Sequence, residues 1–182
     1  MNTVLHTFLF FIFTLQVTYA STYNVGASRD YVSPNDLYNA NILSDGDTIF
    51  IDAEDYLGTN SLAVWTQNDL FIQGIGGRPH LVADGAAIWG KGIWIFAGNN
   101  ISVENIEFSG ATVPDQNGAG IRLDRIRMTA RNCYFHNNEN GILTSNPYEG
   151  TITIEYCEFS GNGFSDGISH NIYVGHVEKW IF

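Results

Sequence analysis

Positive charge is scarce in this chain. Eight lysines and arginines stand against 19 aspartates and glutamates, a formal net charge of −11. That balance excludes nucleic acid and anionic membrane as general partners, because both call for a basic surface. Cysteine is limited to Cys133 and Cys157, both at interior positions of a repeat, which argues against a thiolate nucleophile or a zinc site. The apolar spacing of three and four residues that helical repeats show is missing, as are the closely spaced leucines of leucine-rich repeats. Beyond the first twenty residues no segment is apolar enough to cross a bilayer. The glycine-rich corner at Gly74, Gly76 and Gly77 has no GK[ST] after it and opens no helix, so it is not a phosphate loop.

What the chain has is a repeat. The segments ISVENIEFSG (101–110), MTARNCYFHN (128–137) and ITIEYCEFSG (152–161) superpose, with Phe108, Phe135 and Phe159 in one column and Ile106, Cys133 and Cys157 two positions earlier. A second set, GIWIF (92–96), GIRLD (120–124), GILTS (141–145) and NIYVG (171–175), interleaves with the first and puts Ile93, Ile121, Ile142 and Ile172 in a column. Two short alternating strands per period of 20 to 30 residues, joined by Gly/Asn-rich turns, are the signature of a parallel solenoid. The expected fold is all-β, a right-handed parallel β-helix, clearest over 91–182. At 182 residues with 45% hydrophobic content the chain fits one domain with one core.

The ends carry their own signals. Residues 1–20, with the apolar run TFLFFIFTLQV, read as a secretory signal peptide, so the mature chain is expected to start near Ser21 and to be secreted, extracellular or periplasmic, without a membrane span and as a monomer. Ser33 before Pro34 gives an N-cap and a first-turn proline, predicting a helix over Pro34–Leu43. With the strand Thr48–Asp52, this 21–52 segment is expected to cap the open end of the solenoid. Cys133 and Cys157 stack either as free thiols or as a disulfide between turns, since adjacent strands lie about 4.8 Å apart. The chain stops at HVEKWIF, where a further strand is beginning; we expect that the solenoid is truncated there.

The order YNVG, a Pro-started helix, then DGDTIFID, followed by GKGIWIFAGNNISVENIEFSGA, RNCYFHNNENGILT and HNIYVG, resembles secreted right-handed β-helix proteins of the pectate-lyase-like superfamily, from about Tyr23 onward. The resemblance implies action on an acidic polysaccharide, most plausibly by a lyase whose base is commonly Arg or Lys. The calcium-dependent pectate lyases of that superfamily carry a vWiDH-type segment and a cluster of acidic ligands, and this sequence has neither, so the resemblance carries the fold and leaves the activity open.

Strand alternation then nominates residues. With the isoleucine column inward, Trp94, Arg122, Leu143 and Tyr173 form an outward column, flanked by Phe96, Asp124, Ser145 and Gly175. Sugar rings stack on aromatics, and arginine pairs with carboxylates such as uronates. Trp94, Tyr173 and Asn171 are therefore candidate substrate-binding residues. Arg122, Asp124 and His170 are candidate catalytic ones, with His170 expected to point inward beside Ile172. Glycoside hydrolysis needs two carboxylates, and Asp124 finds a partner only if Asp115 or Asp166 swings in from a loop. A Ca2+ on Asp124 or a loop carboxylate would serve β-elimination; no metal ligand set is evident. His136 is expected to be solvated surface. The insertions 111–119, 145–150 and 162–170 are candidate groove walls. Non-catalytic carbohydrate binding, or an inactive fragment of a longer protein, accounts for the same features.

Overall fold

The computed structural model describes residues 19–145, 150–164, 167–175 and 177–182, and the backbone alone of Trp180. Residues 1–18 of the expected signal peptide, most of the 145–150 insertion, Asp166 and His176 lie outside the described residues. The chain winds through about six coils; five of them contribute one strand to each of three parallel sheets, and a further strand at either end extends one sheet alone. A seven-stranded long sheet runs from Thr22–Val25 to Lys179–Ile181. A five-stranded sheet, here the histidine sheet, holds Asp55–Leu57, His80–Val82, Glu107–Ser109, Tyr134–His136 and Glu158–Ser160. The other five-stranded sheet, here the arginine sheet, holds Ala63–Trp65, Gly92–Phe96, Ala119–Leu123, Asn140–Thr144 and Ile172–Tyr173.

Like residues lie over like residues. On the histidine sheet Tyr56, Leu81, Phe108, Phe135 and Phe159 pair in register from coil to coil. The last three rings stack with centroids 5.0 Å apart at both steps and interplanar angles of 4° and 11°. On the long sheet Ile101, Met128 and Ile152 pair in register, with Val103, Ala130 and Ile154 two residues on. All of these except Phe159, which packs against them partly buried, belong to one buried core cluster. The close approach of the arginine sheet to the phenylalanine stack needs glycine at two points: a Cβ on Gly120 would stand 3.0 Å from the Phe135 ring, and one on Gly141 2.9 Å from the Phe159 ring.

The corner between the long sheet and the histidine sheet is one residue in the left-handed region: Asn105, Asn132 and Tyr156, with φ of 56°, 51° and 54°. Asparagine tolerates that region because its short polar side chain bonds locally. Here it does so repeatedly: the Asn105 amide donates to the carbonyls of Gly74 and Gly77, and the Asn132 amide donates to Asn105 Oδ1 at 3.0 Å. Tyr156 breaks the ladder and is exposed.

The helix covers Pro34–Ala40, shorter than the expected Pro34–Leu43 because Asn41 turns left-handed at φ 52° and closes it. Ser33 caps it by accepting from the Asp36 N–H at 3.1 Å. Leu37 is fully buried in the shared core, and the Asn35 amide donates to the Leu62 carbonyl beside the edge strand Ala63–Trp65. The helix thus lies at the first coil, where the cap is expected. Cys133 and Cys157 are free thiols, stacked near Val103 and Ala130 carbonyls respectively, and burial pushes the Cys133 thiol well above its usual pKa.

Two outcomes follow. Phe135→Ala, in the middle of the ring stack, should lower unfolding free energy by about 3–5 kcal/mol, measured by denaturant titration; a loss below about 1 kcal/mol would contradict the stacking. Tyr156→Asn should raise stability by roughly 1 kcal/mol, through removal of left-handed strain at a tyrosine, read from the same titration.

Candidate functional site

The arginine sheet departs from expectation by one residue. Ile121 and Ile142 pair, and so do Ile142 and Ile172, as their spacing suggests. Ile121, however, pairs with Trp94 and not with Ile93, and Leu123 pairs with Phe96. A slip of one residue exchanges the faces of a strand. Trp94 and Phe96 therefore point inward and are fully buried, in register with Ala63 and Trp65 of the preceding coil. The physical reason is burial: Trp94 sits edge-on to Trp65 at 5.3 Å and to Phe108 at 5.1 Å, and its indole N–H reaches the Ser61 carbonyl at 2.9 Å. Two large aromatic rings bury more apolar area than two isoleucines. Trp94 is a core residue, not a substrate platform.

The outward column is accordingly Val64, Ile95, Arg122, Leu143 and Tyr173. Val64, Ile95 and Leu143 are covered, whereas Arg122 is half-buried and Tyr173 exposed. Arg122 Nε donates to Asp124 Oδ1 at 3.0 Å, so the two candidates meet as an ion pair. Asp115 does not swing toward them. Its carboxylate accepts from Lys91 Nζ at 2.8 Å, and that bond holds its pKa below the usual carboxylate range.

His170 is exposed, not inward. The corner rotates it: its N–H goes to Asn140 Oδ1 and its carbonyl accepts from Gly141, which leaves the ring tilted against Tyr173 at 5.5 Å. Its Nδ1 lies 3.1 Å from the Ile168 carbonyl, an acceptor, which puts a proton on Nδ1; in the neutral ring the lone pair is then on Nε2. Asn171 spends its side-chain oxygen on the Asn162 amide. The 111–119 insertion is anchored from beneath by Glu139, a buried carboxylate that accepts from the Val113 and Gly118 N–H groups at 3.1 and 2.6 Å.

A second polar group stands on the histidine sheet. Glu107 and Ser109 flank Phe108, Tyr134 and His136 flank Phe135, and His80 precedes Leu81, so all of these face outward from in-register strands. His136 is not free surface as expected: its Nε2 lies 2.9 Å from Glu107 Oε1 and its ring stacks on Tyr134 at 4.5 Å. His80 Nε2 lies 2.7 Å from Ser109 Oγ and 3.5 Å from Glu107 Oε1. The same phenylalanine column that defines the repeat marks these positions, since its neighbours on either side must point out. The signal was present in the sequence, but it required placing Leu81 in the column to bring His80 in.

No curated protein matches the chain, and no solved structure matches it. The family described as "Right handed beta helix region" matches residues 37–175, about three quarters of the chain. With the matched segment running through the coils whose parallel stacking is described above, the protein belongs to the right-handed β-helix family.

Proposed function

We propose that the protein is an exported β-helix protein that binds an acidic polysaccharide across the arginine sheet. The observation that carries this reading is the placement of Arg122 and Tyr173 on one outward column, two coils apart, with exposed His170 packed against Tyr173. Two coils span about 9.6 Å at the usual strand spacing, so a polymer lying along the solenoid axis meets a guanidinium and then an aromatic face. The ion pair to Asp124 engages Nε of Arg122, and among the described residues the Nη groups remain to pair with a uronate carboxylate. Export rests on the apolar first twenty residues. No helix among the described residues is long and apolar enough to cross a membrane.

Binding is favoured over turnover by the state of the candidate catalytic groups. Arginine does not deprotonate in proteins, so Arg122 is not the base. Calcium prefers several hard oxygen ligands, while Asp124 and Asp115 already hold cations of the protein. One group favours a lyase as the second reading: His170, whose Nε2 lone pair is the proton acceptor an elimination would need.

Affinity electrophoresis and calorimetry of the full chain with polygalacturonate and alginate test the reading. The chain should bind at least one of them, Arg122→Ala and Tyr173→Ala should each weaken binding about tenfold or more, near 1.4 kcal/mol, and His170→Ala should leave it within a few-fold. Absence of binding by the folded wild type would overturn the proposal. Ultraviolet-absorbing unsaturated product that forms with the wild type and not with His170→Ala would establish the lyase instead.

A further inference from the structure

On the histidine sheet the second polar group has a composition and geometry that the polysaccharide reading does not use. His80 and Glu107 are direct partners on adjacent strands, and His136 lies on the next coil, two residues beyond Glu107's partner Tyr134. One ligand atom from each residue comes within 4.8 Å of the other two. The side chains are 26%, 24% and 17% exposed, so an ion can reach them while they remain held. Each comes from a hydrogen-bonded strand above a packed core of Leu81, Phe108 and Phe135, the rigid support that a metal-ligand set requires.

We propose that His80, Glu107 and His136 form a binding site for a divalent transition-metal ion of the zinc class. Two imidazoles and one carboxylate are a recurring zinc set that leaves a fourth position open. Bonds of 2.0–2.1 Å in a tetrahedron put ligand atoms about 3.4 Å apart. His80 Nε2 and Glu107 Oε1 stand at 3.5 Å, and His136 Nε2 and Glu107 Oε1 at 2.9 Å, so loading opens the second contact by about half an ångström. One acceptor stands behind the set: Asp55 Oδ1 lies 3.6 Å from His80 Nδ1. A carboxylate there orients a ligating imidazole and raises its basicity. At His136 the Asn137 amide nitrogen, a donor, lies 3.0 Å from Nδ1, so ligation through Nε2 requires that amide to turn and present its oxygen. Ser109 Oγ, 2.7 Å from His80 Nε2, adds an oxygen beside the set. The scarcity of cysteine argues only against thiolate ligation. Nitrogen ligands select against calcium and magnesium, and the chain's net charge of −11 favours any cation.

The full chain, stripped with a chelator, is titrated with Zn2+ by calorimetry, and Co2+ is used as the spectroscopic probe. We expect one equivalent bound with a dissociation constant on the order of 1 μM or tighter, and visible Co2+ bands of tetrahedral type. His80→Ala and His136→Ala should each lower affinity by at least ~100-fold, and Asp55→Asn by about tenfold. Because ligand variants can disturb folding, the wild type gives a second readout: Zn2+ should protect His80 and His136, but not His170, from imidazole acylation followed by mass spectrometry. No uptake by the folded wild type, uptake that persists in the double variant His80→Ala/His136→Ala, or acylation of both histidines unchanged by Zn2+ would overturn the assignment.

Discussion

The in-register stacking of identical side chains along the coil axis is the constraint on which the rest of the structure depends. Phe108, Phe135 and Phe159 stack face to face at the 5.0 Å interval that strand pairing imposes. Once that interval and register are set, every flanking position is committed to a face. Glycine at 120 and 141 lets the arginine sheet close against the rings. Asparagine at 105 and 132 supplies the left-handed corner and bonds from one coil to the next. The two polar groups on the surface are consequences of these placements: Arg122 and Tyr173 align because their coils do, and His80, Glu107 and His136 converge for the same reason.

Much of this was legible in the sequence because a solenoid writes its period into the chain. The phenylalanine column, the later isoleucine pairs and the Pro34 helix start all follow from spacing and from capping chemistry. The register of the strand Gly92–Phe96 was not legible. That strand is apolar at every position from Ile93 to Phe96, so alternation offers two faces of equal standing, and the inner one is decided by tertiary contacts: Trp94 meets Trp65, Phe108 and the Ser61 carbonyl, all distant in sequence. Whichever apolar column is chosen as the inner one carries a substrate platform or a core ring with it.

The same distinction governs the surface groups. The ion pair of Arg122 with Asp124 is local, two residues apart on one strand face, and follows from alternation. The exposure of His170 is not local, because Asn140 and Gly141 of the preceding coil hold its backbone and turn its side chain outward. The histidine sheet cluster joins residues 56 positions apart from end to end, and His80 lies in a coil whose column residue is leucine, so no run of identical residues leads the eye to it. Burial in a solenoid is periodic and legible, whereas chemistry across its coils becomes visible only when each coil is placed on the next.

Disulfide trapping on the outer face of the long sheet tests the coil register most directly, because cysteines form a bond only when their Cα atoms lie within about 4.4–6.8 Å. Ser102 and Thr129 are direct partners on adjacent coils, and Thr153 is the partner of Thr129 one coil further on. Under mild oxidation in a chain lacking Cys133 and Cys157, the pair Ser102→Cys/Thr129→Cys should cross-link readily and Ser102→Cys/Thr153→Cys should not. Efficient cross-linking of the second pair, or none in the first, would contradict the stacked-coil structure.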